Sequence, residues 1–257
     1  MLENVLALFY GHITKCLRGW PEVIKIDLKM GSQPDYTSCG PTSLLAIYNF
    51  YGDRVTSEEL LKTIPQFEEG GGVFGVMLGI DALKRGYKVL LYSFNLNIFD
   101  PTWFELPMND IKNKLKQMLE LRKMEPKRYN AVKSAVEFIE LGGEFRFQDL
   151  TTELISSYLS KDTPLLSGLS STWLYRSKRE EPLSNEDDDI EGEPAGHFVV
   201  LHGKSSDNKF VYVADPYRPN PISGTNYYKV SMDSLINSIL LGVMSYDGNL
   251  IVIEPGK

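Results

Sequence analysis

The chain has 257 residues and a formal net charge of −7. Apolar residues make up 42% of it and charged residues 24%, which is typical of a globular protein and excludes a largely disordered one. Because an acidic surface repels phosphate backbones, we expect no nucleic-acid partner.

Hydrophobic patterns in chain order predict helices first and strands later. Helical spacing and capping residues predict helices over 38–51, 57–64, 73–86, 108–124, 127–141 and 151–159. Alternating or continuous apolar runs bounded by turn residues predict strands over 87–94, 163–170, 197–203, 209–216 and 249–255. This order predicts an α+β fold in a single domain over 1–257, with a helical insertion around 100–160.

The N-terminal residues 1–20 resemble an amphipathic helix rather than an export signal. Glu3 stands where a signal peptide carries positive charge, and no small-residue cleavage site follows. No segment of the chain reaches 18 uninterrupted apolar residues. We therefore expect a cytoplasmic protein without a membrane partner, although translocation without a classical signal stays open.

Residues 176–195, called the acidic loop below, differ from the rest of the chain. They contain eight acidic residues and no aromatic one. Such a composition predicts a long mobile loop, which is most simply a solvated surface loop. Its position directly before His197 leaves a second interpretation open, that of a lid over an active site or a selector for basic substrate residues.

Cysteines and histidines are few. The chain has two cysteines, Cys16 and Cys39, and three histidines, His12, His197 and His202. Two cysteines provide neither a disulfide scaffold nor a four-cysteine zinc site. His12 and Cys16 are four residues apart on the predicted N-terminal helix, but no further ligands accompany them. We expect no metal and no cofactor.

Cys39 stands in the first turn of the helix predicted over 38–51, behind Ser38 as a plausible N-cap. A helix N-terminus offers unpaired N–H groups and a partial positive charge, which favour a thiolate. Gly40 leaves room for a substrate backbone to approach. Gln33 could donate a hydrogen bond to a developing oxyanion. Taken alone, a cysteine at a helix start is more often structural than catalytic.

The strands over 197–203 and 209–216 flank the turn sequence KSSDN and so predict a hairpin. In a symmetric hairpin His197 lies directly opposite Asp215, with Cβ atoms roughly 5 Å apart. A slip of one or two residues in the register would change this pairing. His202 is an odd number of residues from His197, so it points to the other face and is interpreted as structural.

The glycine-rich run 68–75 lacks the Lys-Ser/Thr ending of a phosphate-binding loop. It is either a flexible turn or a wall of the substrate cleft. On the second interpretation we expect Gly72 to contact the substrate, and we expect the same of Gly196, which precedes His197.

The chain order Gln33, Cys39, His197 and Asp215 resembles the papain-like arrangement. The segments QPDYTSCGPTSLLAI, PLLSGLSSTWLY, GHFVVLHG and FVYVADPY resemble, more specifically, the bacteriocin-processing (double-glycine) cysteine peptidases. The resemblance implies a papain-like fold in which an N-terminal helical part carries the nucleophile at a helix N-terminus, packed on a C-terminal antiparallel sheet. It implies Cys39 as nucleophile, His197 as general base, Asp215 as its orienting carboxylate and Gln33 as an oxyanion donor. We expect a stand-alone member of the family.

These observations predict a cysteine peptidase or amidohydrolase that cleaves a peptide substrate through a thioacyl-enzyme. Two alternatives stay open. One is an acyltransferase or transglutaminase-like enzyme with the same triad, which an amine acceptor would reveal. The other is a non-catalytic peptide-binding module, which would have no need to retain all four residues.

Overall fold

The computed structural model describes residues 24–64, 72–121, 123–182, 184–246 and 248–256. The helix predicted over 1–20, with His12 and Cys16, lies outside these ranges, as do residues 68–71 of the glycine-rich run. Over the ranges described, no helix is long and apolar enough to cross a membrane.

The helices and strands are labelled in chain order. The α-helices are α1 Cys39–Phe50, α2 Ser57–Thr63, α3 Gly75–Lys84, α4 Met108–Leu119, α5 Pro126–Glu140, α6 Thr152–Leu159, α7 Ser171–Tyr175 and α8 Met232–Leu241. The strands are β1 Ile24–Lys25, β2 Lys88–Ser93, β3 Glu144–Arg146, β4 Leu165–Ser170, β5 Gly196–Lys204, β6 Phe210–Ala214, β7 Tyr227–Ser231 and β8 Asn249–Glu254. Short 3₁₀ helices occupy Pro101–Trp103 and Gly242–Ser245.

The strands form one sheet in the order β3-β2-β8-β4-β5-β6-β7, and β1 pairs with β5. The pairs are antiparallel except for β2 with β3, which are parallel. Strands β4, β5 and β8 are buried along almost their whole length, so both faces of the sheet centre are covered. The predicted α+β class is confirmed.

Helix α1 packs against β5, and this packing positions the candidate nucleophile. The hydroxyl of Ser43 donates to the main-chain oxygen of Phe198 at 3.1 Å. Because Cys39 lies four residues before Ser43, both side chains lie on the same side of the helix. Cys39 therefore lies near the start of β5, where His197 precedes Phe198.

Several elements differ from the sequence prediction. Helix α5 begins at Pro126 because proline is tolerated in a first turn, and the carboxylate of Glu125 caps this turn. Five of the labelled elements were not predicted from the sequence, namely β1, β3, α7, β7 and α8. The first four are only two to five residues long, too short to show a clear period.

Candidate active site

Cys39 is the first residue of α1 and is buried, with 8% of its surface exposed. Ser38 stands at the N-cap position as predicted, but its hydroxyl makes no capping bond and donates to Asp35 Oδ1 at 2.6 Å. The same oxygen accepts from the main-chain nitrogen of Thr37 at 2.9 Å. The hydrogen bond from Ser38 is the main cause that lowers the pKa of Asp35. An ionised Asp35 thus fixes the turn that leads into the helix.

His197, the second residue of β5, hydrogen-bonds through Nε2 to Asp215 Oδ1 at 2.8 Å. Both residues are buried, with 7% of His197 and none of Asp215 exposed. The two residues are diagonal neighbours, because Asp215 follows the last paired residue of β6, Ala214, which lies opposite Val200. The predicted direct pairing is therefore wrong.

Two local features shift the register. The turn closes with a hydrogen bond from Ser205 N to Phe210 O, which shifts the pairing of the two strands by three residues from the symmetric prediction. A β-bulge between Leu201 and Gly203 then shifts the pairing back by one residue. The net shift of two residues keeps Asp215 on the same face as before, because side chains alternate with a period of two. Diagonal neighbours on one face remain within reach of each other.

The carboxylate of Asp215 accepts four hydrogen bonds. Oδ1 accepts from His197 and from the main-chain nitrogen of Tyr217 at 2.8 Å. Oδ2 accepts from the hydroxyls of Tyr175 and Tyr228, each at 2.6 Å. Burial opposes ionisation, but the charge of His197 and these hydrogen bonds hold the pKa of Asp215 below its ordinary value. Asp215 is therefore ionised at neutral pH.

The imidazole of His197 lies between the side chains of Asp215 and Cys39, and it hydrogen-bonds to Asp215. Burial alone would lower the pKa of His197. The negative charge of Asp215, followed by the interaction with Cys39, outweighs burial and raises that pKa to about 10. The environment thus favours an imidazolium. A thiol, an imidazole and a buried carboxylate therefore lie next to one another, and such a set of groups can supply a nucleophile, a base and a group that orients the base.

Cys39 opens onto a cavity of about 190 Å³. Gly72 and Gly196, the two residues that stay predictions as substrate contacts, line it. Gly40 does not line it. A Cβ atom at Gly40 would approach Val73 Cγ2 to 2.7 Å, so this glycine allows helix packing rather than the approach of a substrate.

Gln33 lies on the loop before α1, and its main-chain nitrogen donates to Pro216 O at 2.9 Å. This bond ties the Gln33 loop to the residue that follows Asp215. Gln33 Nε2 donates to the carbonyls of Asp35 at 2.8 Å and Tyr36 at 3.4 Å. Gln33 Oε1 is buried and has no hydrogen-bond partner among the residues that the structure describes. In this structure the amide is directed at its own loop.

The acidic loop forms one wall of the cavity through Glu180, Glu181 and Glu193, among others. Glu180 and Glu193 pair through two main-chain hydrogen bonds of 3.0 and 2.8 Å. Glu180 also accepts a hydrogen bond from the hydroxyl of Tyr36, on the loop that precedes Cys39. The acidic loop is thus attached to the opposite side of the cavity.

His202 does not join the site. It is buried, and its Nδ1 hydrogen-bonds to the carbonyl of Ile26 at 3.1 Å. The sequence analysis missed Tyr175 and Tyr228, whose hydroxyls reach Asp215 from α7 and β7. Neither has a spacing that relates it to Asp215, so no signal in the sequence alone could have identified them.

No model of a protein family matches the chain, and no curated protein matches it. The chain is similar to three solved structures. A double glycine motif protease from an AMS/PCAT transporter, in complex with its leader peptide, has 13% identity and a TM-score of 0.42, covering 90% of this chain and 94% of that one. The peptidase domain of Streptococcus ComA, a bifunctional ABC transporter involved in quorum sensing, has 15% identity and a TM-score of 0.42, with coverages of 90% and 98%. Xylellain, a cysteine protease from Xylella fastidiosa, has 16% identity and a TM-score of 0.43, with coverages of 93% and 91%.

Proposed function

We propose that the protein is a cysteine peptidase that hydrolyses an amide bond of a peptide or protein. The observation that carries this proposal is the contact series Cys39–His197–Asp215 beside an open cavity. Since Asp215 occupies Nε2 of the imidazole, Nδ1 is the nitrogen that can exchange a proton with the thiol. This is the arrangement that nucleophilic catalysis by a thiol requires.

In the reactive form of the site, His197 holds the proton of the Cys39 thiol as an imidazolium that faces the ionised Asp215, and Cys39 is a thiolate. The thiolate attacks the amide carbonyl carbon, and the carbonyl oxygen becomes an oxyanion. The main-chain N–H of Cys39, at the start of α1, donates to this oxyanion. Gln33 Nε2 provides the second donor once its 3.4 Å contact with the Tyr36 carbonyl opens.

The reaction then proceeds through a thioester. His197 gives its proton to the leaving nitrogen, the C–N bond breaks, and an amine departs. A water molecule attacks the thioester carbonyl while His197 takes its proton. Cleavage of the C–S bond releases the carboxylic acid and restores the thiol. Every proton taken up by His197 is thus returned within one cycle.

The cavity wall supports a peptide as substrate. At Gly72 and Gly196 the wall consists of main chain, since neither residue carries a side chain. Exposed main-chain groups can pair with an extended peptide by adding a strand. The glutamates of the acidic loop on the same cavity favour a substrate that carries a basic residue near the scissile bond.

The test uses iodoacetamide and mass spectrometry on the full chain. We expect Cys39 to be alkylated at least about tenfold faster than Cys16 at pH 6, where an ordinary thiol is protonated. The matched variant His197→Ala removes the base and should abolish this advantage. Equal labelling of the two cysteines in the wild-type protein would contradict the proposal.

A peptide library then tests for cleavage. Wild-type protein should generate new peptide termini, and the Cys39→Ala variant should generate none. The Cys16→Ser variant is the control, and we expect its cleavage rate to match that of the wild type. If an added amine appears in the product in place of water, the enzyme is an acyltransferase rather than a hydrolase.

A further inference from the structure

The side of Asp215 that faces away from His197 is closed by two tyrosines. The hydroxyls of Tyr175 and Tyr228 both donate to Asp215 Oδ2, each at 2.6 Å. Hydroxyl-to-carboxylate bonds of this length are charge-assisted and among the stronger hydrogen bonds in proteins. The two tyrosines come from different elements, α7 and β7, which are 52 residues apart in sequence.

Solvent does not stabilise the charge of the Asp215 carboxylate, because this residue is fully buried. A buried carboxylate without donors on one oxygen tends to take up a proton, since burial disfavours its charge. The two hydroxyls satisfy Oδ2 and leave Oδ1 for His197 and the main-chain nitrogen of Tyr217. They also restrict rotation of the carboxylate, because bonds on both oxygens fix its plane.

We propose that Tyr175 and Tyr228 are positioning residues that keep Asp215 ionised and directed at His197. This inference rests on the proposed cysteine peptidase function, within which Asp215 acts through His197. The effect of the two tyrosines reaches Cys39 through the charge on the histidine.

Other titratable groups surround the histidine and aspartate pair. Cys39 faces His197 from α1, and the ring of Tyr217 lies with its centroid 6.4 Å from the imidazole. Tyr175 is itself 6.0 Å from the imidazole by the same measure, and Tyr228 faces Asp215 from β7. Glu180 lies farther out, bonded to Tyr36 across the cavity. Of these groups, Tyr175 and Tyr228 are the ones whose side chains donate to Asp215 Oδ2, and neither is a proposed reacting group.

The experiment measures the charge of His197 directly. The imidazole is titrated by NMR in the Cys39→Ala background, where the thiolate no longer contributes, and its resonance is assigned with the His197→Gln variant. In the Tyr175→Phe/Tyr228→Phe double variant we expect the pKa of His197 to fall by at least about one pH unit, because Asp215 loses charge. Each single variant should show about half of this fall.

Tyr48→Phe is the matched control. Its hydroxyl also donates to a buried aspartate, Asp81 Oδ1, at 2.8 Å, but this pair lies outside the candidate site. A purely structural effect of losing such a bond would appear equally in this variant. We expect Tyr48→Phe to leave the titration of His197 unchanged.

Two outcomes separate this inference from the proposed function. An unchanged His197 titration in the folded tyrosine variants would overturn the positioning role, whatever the activity of Cys39. If Cys39 proves unreactive while the tyrosine variants shift the titration, the peptidase proposal fails and the positioning of Asp215 stands. Should the double variant not fold, the two single variants decide the question.

Discussion

Two buried aspartates in this protein accept hydrogen bonds from tyrosine hydroxyls, and each also pairs with a basic side chain. The basic side chain is an arginine in one pair and a histidine in the other. Asp81 accepts from Tyr48 and Thr63 and pairs with Arg85 at 2.9 Å. Asp215 pairs with His197 at 2.8 Å. A guanidinium keeps its charge at any physiological pH, whereas an imidazolium can give its proton away. The same local design therefore yields a permanent structural pair in one place and a pair fit for proton transfer in the other.

Among substitutions at these two pairs, we expect Asp215→Asn to have the largest effect. The amide oxygen can still accept from His197 and Tyr217, and the amide NH₂ can donate to the oxygens of Tyr175 and Tyr228. The fold should persist while the charge is lost. We expect kcat to fall by about 10³-fold. Steady-state kinetics on a cleaved library peptide, together with thermal unfolding, measure both quantities.

Asp81→Asn is the counterpart in the structural pair. We expect it to lower the free energy of unfolding by about 2 kcal/mol, since Arg85 loses its partner, and to leave kcat of the folded protein unchanged. A large loss of kcat in Asp81→Asn would contradict the assignment of a purely structural role to Asp81.

Gln33→Ala tests the uncharged part of the site. Removing one of two oxyanion donors typically costs about 10²-fold in kcat, and we expect a loss of that order with little change in KM. Gln33→Glu is the matched variant, because it keeps the size but removes the N–H donor. If both variants retain full activity, Gln33 has no role at the oxyanion.

The pH dependence of stability should also separate the two pairs. The pKa of His197 is raised to about 10 in the folded protein, so its contribution is complete below its unfolded pKa of about 6.5 and is lost as the pH rises to about 10. We expect wild-type protein to lose at least about 1 kcal/mol of stability across this window relative to His197→Gln. Urea unfolding at a series of pH values measures it. Arg85→Gln should show no such difference from wild type.

The smallest effect is expected where a tyrosine meets an exposed carboxylate. Tyr36 donates to Glu180 at the edge of the cavity, and about half of Tyr36 is exposed. Exposed contacts of this kind contribute little to stability. We expect Tyr36→Phe to change KM several-fold by loosening the acidic loop, with kcat and thermal stability nearly unchanged. An unchanged KM for basic and neutral peptides alike would argue that the acidic loop is only a solvated surface.

Local patterns predicted much of the fold. Long apolar periods identified α1, α3 and the strands β2, β4, β5, β6 and β8, because periodicity depends on neighbouring residues only. The short α7 and β7 escaped prediction, and so did the insertion of the last strand between β2 and β4. That strand order depends on contacts between residues far apart in sequence, which a local pattern does not encode.

The candidate site also combines features set by local sequence patterns with features set by contacts between distant residues. Local patterns in the sequence specify that Cys39 begins a helix and that His197 and Asp215 lie on the two strands of one hairpin, since these patterns depend on neighbouring residues. The three-dimensional fold alone placed the two residues on one face in diagonal contact, because the turn and the bulge together set the register. It also decided that Tyr175 and Tyr228 satisfy the far side of Asp215, since hydrogen bonds to a buried carboxylate come from whichever elements pack around it.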